Sequence, residues 1–238
     1  MASEHIAKAF DTDLQELTRL VAEMGGLAER QIVDSADALT RRDVELGKRV
    51  VLQDKDIDKL HREIEERAIL TIARRQPMAV DLREIVGALR ISTDIERIGD
   101  LAKNIGKRVG ELDGDFRPLQ LIRGLEHMAG LVQTQVKTVL DAYAAHDKSA
   151  AVHVWKNDEE IDALCTSLFR ELLTYMMEDP RNISFCIHLM FCAKNIERSG
   201  DHATNIAETV FYMIEGQQIQ NQRPKGDMTS FAALAPGT

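Results

Sequence analysis

The chain has 238 residues, of which 44% are hydrophobic, 29% charged and 5% aromatic, with 5 prolines. That length allows one elongated or two small domains, and the balance favours helices over a β-sandwich. A net charge of −9 without a clear basic block argues against sequence-independent nucleic-acid binding. It also repels an anionic membrane surface, so membrane contact is expected only through protein partners. Cys165, Cys186 and Cys192 have no CxxC spacing and fit reduced thiols of a cytosolic protein. The stretch MASEHIAKAFDTDLQEL has neither a basic n-region nor an apolar h-region, so it is no signal peptide. No run approaches the ~18 apolar residues needed to span a bilayer. A cytoplasmic protein is expected.

In chain order, helical spacing appears first in Leu14, Leu17, Val21, Met24, Ala28, Ile32, Ala36 and Leu39, which recur at three- and four-residue steps. Asp43 is placed to cap a second helix with the stripe Val50, Ile57, Ile64 and Ala68. Pro77 suits the first turn of a third helix, which runs to about Val109. The stretch GELDGDFRP, Gly110 to Pro118, reads as a linker. A fourth helix is expected from Leu119 to Ala145 and a fifth from Asp147 to Glu178, with Asp147 as its cap. Asp179 and Pro180 then cap and open a sixth, which ends near Gly216. The remainder has no sustained pattern and is expected to be a mobile tail.

The two halves repeat each other. A shift of 104 residues aligns Met24–Asp58 with Met128–Asp162 and leaves 11 of 35 positions identical. A shift of 101 aligns Arg90–Ile105 with Phe191–Ile206, with 8 of 16 identical. The shared residues include Glu, Arg, Gly, Asp and Asn, so low complexity does not explain the match. The expectation is an all-α fold of two tandem, symmetry-related three-helix bundles: residues 1–112, residues 113–216, and a tail at 217–238.

Within this plan four acidic pairs stand at i, i+4: Asp54 with Asp58, Glu96 with Asp100, Asp158 with Asp162, and Glu197 with Asp201. Each puts two like charges on one helix face, and Asn104 and Asn205 extend two of those faces. Gly99 and Gly200 sit inside the same helices, where each costs about 1 kcal/mol against Ala. Something is therefore expected to approach the backbone closely there. The helices also change sides. Leu82, Ile85, Val86 and Leu89 form an apolar face that later carries Glu96, Asp100 and Asn104, while Ile91, Ile95, Ile98, Ala102 and Ile105 lie nearly opposite. Ile183, Ile187 and Met190 precede the Glu197 face in the same way.

Two readings of the acids stay open. They are a solvated face partly neutralised by Lys103 and Lys107, or they converge as oxygen ligands. If the helix pairs meet, each bundle gathers four carboxylates and an Asn, a hard donor set for Mg²⁺, Ca²⁺, Mn²⁺ or iron. Other signals are weaker. Asp58 and His61 make one DxxH, whose repeat counterpart is Cys165, so a ferritin-like di-iron site is not supported. No GxxxxGK[ST], GxSxG, HExxH or Cys-His nucleophile pattern occurs. Arg97 and Arg198 either bind phosphate or pair with the neighbouring acids. RRQPMAVDLR, Arg74 to Arg83, is a solvated corner or a docking patch. Trp155 and LLTYMMED read as core.

The segments KRV, RQPMAVDLR, IERIGDLAKNI, TYMMEDPRNI and IERSGDHATNIAE, in this order and spacing, resemble the PhoU family of phosphate-uptake regulators, from about residue 10 to 216. The resemblance implies two symmetric three-helix bundles, each carrying the motif E/D-x-x-x-D on two helices. It therefore implies metal ligation by Asp54, Asp58, Glu96, Asp100, Asp158, Asp162, Glu197 and Asp201, with iron, zinc, manganese or magnesium as the ion. It further implies a non-enzymatic signalling adaptor acting between the ATPase subunit of the phosphate ABC transporter and the sensor histidine kinase of the phosphate-response two-component system. Such an adaptor restrains uptake and the starvation response when phosphate is plentiful. A homodimer is the expected assembly. The rival is a carboxylate-ligated metalloenzyme or metal-storage protein, and a third reading is a helical scaffold stapled by metal.

Overall fold

The computed structural model describes residues 2–112 and 119–220. The centre of the expected linker and most of the expected tail, residues 113–118 and 221–238, lie outside the described residues. Three long helices form the first half: α1 (Ala2–Arg41), α2 (Val44–Arg75) and α3 (Val80–Val109). The second half has α4 (Leu119–Ala145), α5 (Lys148–Lys156), α6 (Glu159–Glu178) and α7 (Ile183–Glu215). Each half is a three-rod bundle, with α5 and α6 together forming one rod. There is no strand among the described residues.

The turns repeat as the sequence does. Arg42 and His146, 104 positions apart, both adopt the left-handed region, at φ 54° and 53°. Behind each, the next amide reaches back five residues, Asp43 N to Ala38 O and Asp147 N to Ala142 O, both 2.9 Å. This is a Schellman closure. Asp43 then caps α2 by accepting from Leu46 N, and Asp147 caps α5 by accepting from Ser149 N and Ala150 N.

Three expectations shift. The fifth helix breaks at Asn157–Asp158. Asn157 has poor helix propensity, its side chain turns to the His153 ring at 2.9 Å, and its carbonyl accepts from Gln135 Nε2 at 3.2 Å. Just beyond, Glu159, Glu160 and Asp162 occupy the first turn of α6, where acids are favoured by the helix dipole. Pro77 lies before α3 rather than in it, because α2 closes on Gln76 in a left-handed cap. Pro180 opens a 3-10 turn, Pro180–Asn182, capped by Asp179 ahead of α7.

One contiguous core joins both halves. The expected stripes of α1 and α2 lie in it, except that Leu14 is half-buried and Val50 is buried outside it. The side-switch of α3 and α7 does not make a second core. Ile85 is buried, but Leu82, Ile183 and Ile187 are exposed, while Val86, Leu89 and Met190 are half-buried. Trp155 is buried and donates to Glu208 Oε1 at 2.9 Å. Met177, expected in the core, is 84% exposed.

The halves pack through α3 against α7 and α1 against α4. The first pair is antiparallel: Arg83 near the start of α3 donates to Met213 O near the end of α7, and Arg108 stacks on Phe191 at 4.2 Å. Between these ends, Asp94 meets His202 Nδ1 at 2.8 Å and Asn205 at 3.3 Å.

Candidate functional site

The glycines explain how the acidic faces are built. A Cβ on Gly99 would meet Ile57 Cδ1 at 2.9 Å, Gln31 Oε1 at 3.1 Å and Asp54 Oδ1 at 3.4 Å. A Cβ on Gly200 would meet the equivalent set, Ile161 Cδ1 at 3.3 Å, Gln135 Oε1 at 3.4 Å and Asp158 Oδ1 at 3.5 Å. The expected close approach is therefore a carboxylate, an amide and an isoleucine, the same in both halves. Gln31 and Gln135 were not singled out in the sequence, although they match under the 104-residue shift. Each is buried and donates its amide to a main-chain carbonyl, Gln31 to Val50 O and Gln135 to Asn157 O. Each keeps an Oε1 without a hydrogen-bond partner, aimed at the acidic face.

In the first half, Asp54 is buried while Asp58, Glu96 and Asp100 are half-buried. The ammonium of Lys103 lies between the two helices. It donates to Asp54 Oδ2 at 2.5 Å and also to Asp100 Oδ1. Arg97 stands further out, 3.5 Å from Glu96 and 3.7 Å from Asp100, so it pairs with the acids. Burial raises the Asp54 carboxyl above its ordinary range, opposed by the hydrogen bond from Lys103. Burial also raises Glu96, with the Asp100 charge adding to it. Burial works against the Lys103 charge, but its hydrogen bonds to Asp100 and Asp54 hold the ammonium well above the ordinary lysine range.

In the second half the balance differs. Asp158, Asp162 and Glu197 are all buried and Asp201 is half-buried. Thr204 occupies the position equivalent to Lys103 and turns its hydroxyl to Gly200 O at 3.1 Å. The positive charge comes from the other direction, with Lys194 Nζ donating to Glu197 Oε1 at 2.8 Å.

The donor chemistry, carboxylates beside a buried amide oxygen, suits a hard cation. The placement is less favourable, since no group of three or more His, Cys, Asp or Glu side chains is arranged to hold a metal ion among the described residues. His61 is half-buried near Glu96 and 3.9 Å from Glu65. Its repeat counterpart Cys165 is a buried cysteine outside any disulfide, so the two halves share no nitrogen ligand there. One depression of about 580 Å³ is an open groove of mixed charge on α2 and α1. No described helix is long and apolar enough to cross a membrane.

Comparison with known proteins gives a consistent picture. The PhoU domain model matches residues 21–109 and again 125–210, the same two copies that the internal shifts align. The chain is 58% identical to a phosphate-specific transport system accessory protein PhoU homolog of Rhizobium meliloti, over 97% of both chains. It is 50% identical to one of Caulobacter vibrioides, over 96% of this chain and 99% of that one. The fold matches the crystal structure of PhoU from Pseudomonas aeruginosa with a TM-score of 0.82 at 37% identity, covering 87% of this chain and all of that one. It matches the phosphate transport system regulatory protein PhoU from Streptococcus pneumoniae with a TM-score of 0.83 at 25% identity, covering 89% and 100%.

Proposed function

The chain belongs to the PhoU family, and from that premise we propose that it is a cytoplasmic regulator that restrains phosphate uptake and the phosphate-starvation response. It acts as an adaptor, not an enzyme, between the ATPase subunit of the phosphate ABC transporter and the sensor histidine kinase. The names of its relatives, accessory and regulatory proteins of phosphate transport, support the transporter half of this reading.

The observation that carries the adaptor half is a pair of exposed corners at opposite ends. At the α2–α3 corner, Met78 is 80% and Val80 54% exposed, beside Arg74 and Arg75. At the equivalent α6–α7 corner, Met177 is exposed beside Arg181. Because α3 and α7 run antiparallel, and 30 helical residues span about 45 Å, the corners face away from each other. Apolar tips among guanidinium groups suit protein docking better than bulk solvent. Two such tips fit a protein that touches two partners. The open, charge-lined groove does not resemble a substrate pocket, which favours adaptor over metalloenzyme or metal store.

The metal reading is kept for both acidic faces, Asp54, Asp58, Glu96 and Asp100 in the first half and Asp158, Asp162, Glu197 and Asp201 in the second, each with buried and half-buried carboxylates beside a buried amide oxygen. Iron, zinc, manganese and magnesium all fit that donor chemistry.

Co-purification tests the adaptor reading. The transporter ATPase and the cytoplasmic part of the kinase are each expected to be retained by the wild-type chain. Met78→Asp and Met177→Asp variants are expected to lose retention of different partners. Equal retention by the wild type and both variants would contradict docking at the corners.

A further inference from the structure

Two buried amide oxygens face the acids without a donor. Gln31 is 1% and Gln135 8% exposed, and the Oε1 of each has no hydrogen-bond partner among the described residues. A buried acceptor without a donor is unfavourable, and here it occurs twice, at positions 104 residues apart. Turning the amide over does not relieve it. Each Nε2 donates to a main-chain carbonyl, Gln31 to Val50 O at 3.0 Å and Gln135 to Asn157 O at 3.2 Å, and a carbonyl only accepts. The oxygen is therefore held in place, and its neighbour is another oxygen. Gln31 Oε1 and Asp54 Oδ1 lie 3.1 and 3.4 Å from the place of a Cβ on Gly99. Gln135 Oε1 and Asp158 Oδ1 lie 3.4 and 3.5 Å from the same place on Gly200.

Oxygens gathered in this way at a helix-interior glycine suit a hard cation, which takes neutral amide and carboxylate oxygens together. We infer that Gln31 and Gln135 are metal ligands, each adding an amide oxygen to the carboxylates of its own half. They stand on α1 and α4, the rods that carry none of the four acidic pairs, so a bound ion would tie all three rods of a bundle together. Lys103 does not take this role in the first half. Its ammonium bonds Asp54 Oδ2 and Asp100 Oδ1, and Gln31 Oε1 still has no donor among the described residues. The inference rests on the metal reading of the acidic faces and adds the third rod of each half to it.

Equilibrium dialysis of the chelator-treated full chain against manganese(II) tests it, with ion count and affinity measured for the wild type, Gln31→Met and Gln135→Met. Methionine keeps the reach of the side chain and removes the oxygen. The wild type is expected to bind manganese, and each variant to hold one ion at least about tenfold more weakly. Manganese should also raise the thermal midpoint of each variant less than that of the wild type, an increment that a purely structural role of the glutamine would leave unchanged. A variant that binds with the wild-type count and affinity overturns the assignment for its half and leaves the metal reading standing. No binding by the wild type overturns both. Should the methionine variants not fold, Gln31→Glu and Gln135→Glu decide. A carboxylate oxygen at the same reach is expected to tighten binding, and an affinity equal to or below that of the wild type overturns the inference.

Discussion

Gly99 and Gly200 have the same neighbours at different distances, and that difference gives opposite expectations for one substitution. At Gly200 the nearest atoms to an added methyl lie at 3.3–3.5 Å and all belong to side-chain ends. Gly200→Ala should therefore keep most of the ~1 kcal/mol helix-propensity gain. At Gly99 the Ile57 methyl stands at 2.9 Å and Gln31 Oε1 at 3.1 Å, and overpacking offsets that gain. Gly99→Ala should be neutral to destabilising by about 1 kcal/mol. Urea unfolding of both variants checks the contrast. At this scale the sequence revealed the acids and the glycines, because identical polar residues in a repeat stand out against apolar ones. It did not reveal Gln31 and Gln135, since a single glutamine on a helix surface and one buried against a glycine look alike. Nor did it separate Lys103 from Lys107: only the side chain's reach to the neighbouring helix makes one of them a bridge.

Helix boundaries were legible wherever a side chain closes them. Asp43 and Asp147 have cap chemistry at the start of a stripe, and each accepts the expected amide hydrogens. The break inside the fifth helix was hidden because the apolar stripe continues through Asn157–Asp158. What interrupts the helix is a hydrogen bond from Gln135 on another element, which periodicity does not register. Elsewhere two helices cross with almost no side chain between them. A Cβ on Gly106 would lie 2.8 Å from Gly47 O, and one on Gly47 would lie 2.8 Å from Gly106 O. Backbone cannot swing aside, so Gly106→Ala should cost about 1–3 kcal/mol by separating α2 from α3. Gly130→Ala, with nothing within 4 Å, should instead stabilise by up to about 1 kcal/mol. Thermal unfolding distinguishes the two.

Over the whole molecule, the repeat predicted the fold class because each half obeys the same apolar periodicity. It was silent about how the halves join, since α3 and α7 meet through a polar seam of Asp94, His202 and Asn205 with no periodic signature. The shared core also sets the response to alkali. Burial pushes the Cys192 thiol from 9.0 up to about 12 and the Tyr143 phenol from 10.0 up to about 12. The folded state keeps both protons where the unfolded chain releases them. Their contribution is complete below pH 9 and is lost as pH rises toward about 12. Stability measured by denaturant should fall steadily between pH 9 and 11, and Cys192→Ser should flatten the early part of that decline.

The regulatory claim is the centre of this account, and one measurement meets it directly. With the gene deleted from its own organism and the cells grown in abundant phosphate, alkaline phosphatase, a starvation-response output, is assayed. The account predicts high, constitutive activity that returns to repression when the wild-type gene is restored. Normal repression in the deletion strain would contradict it.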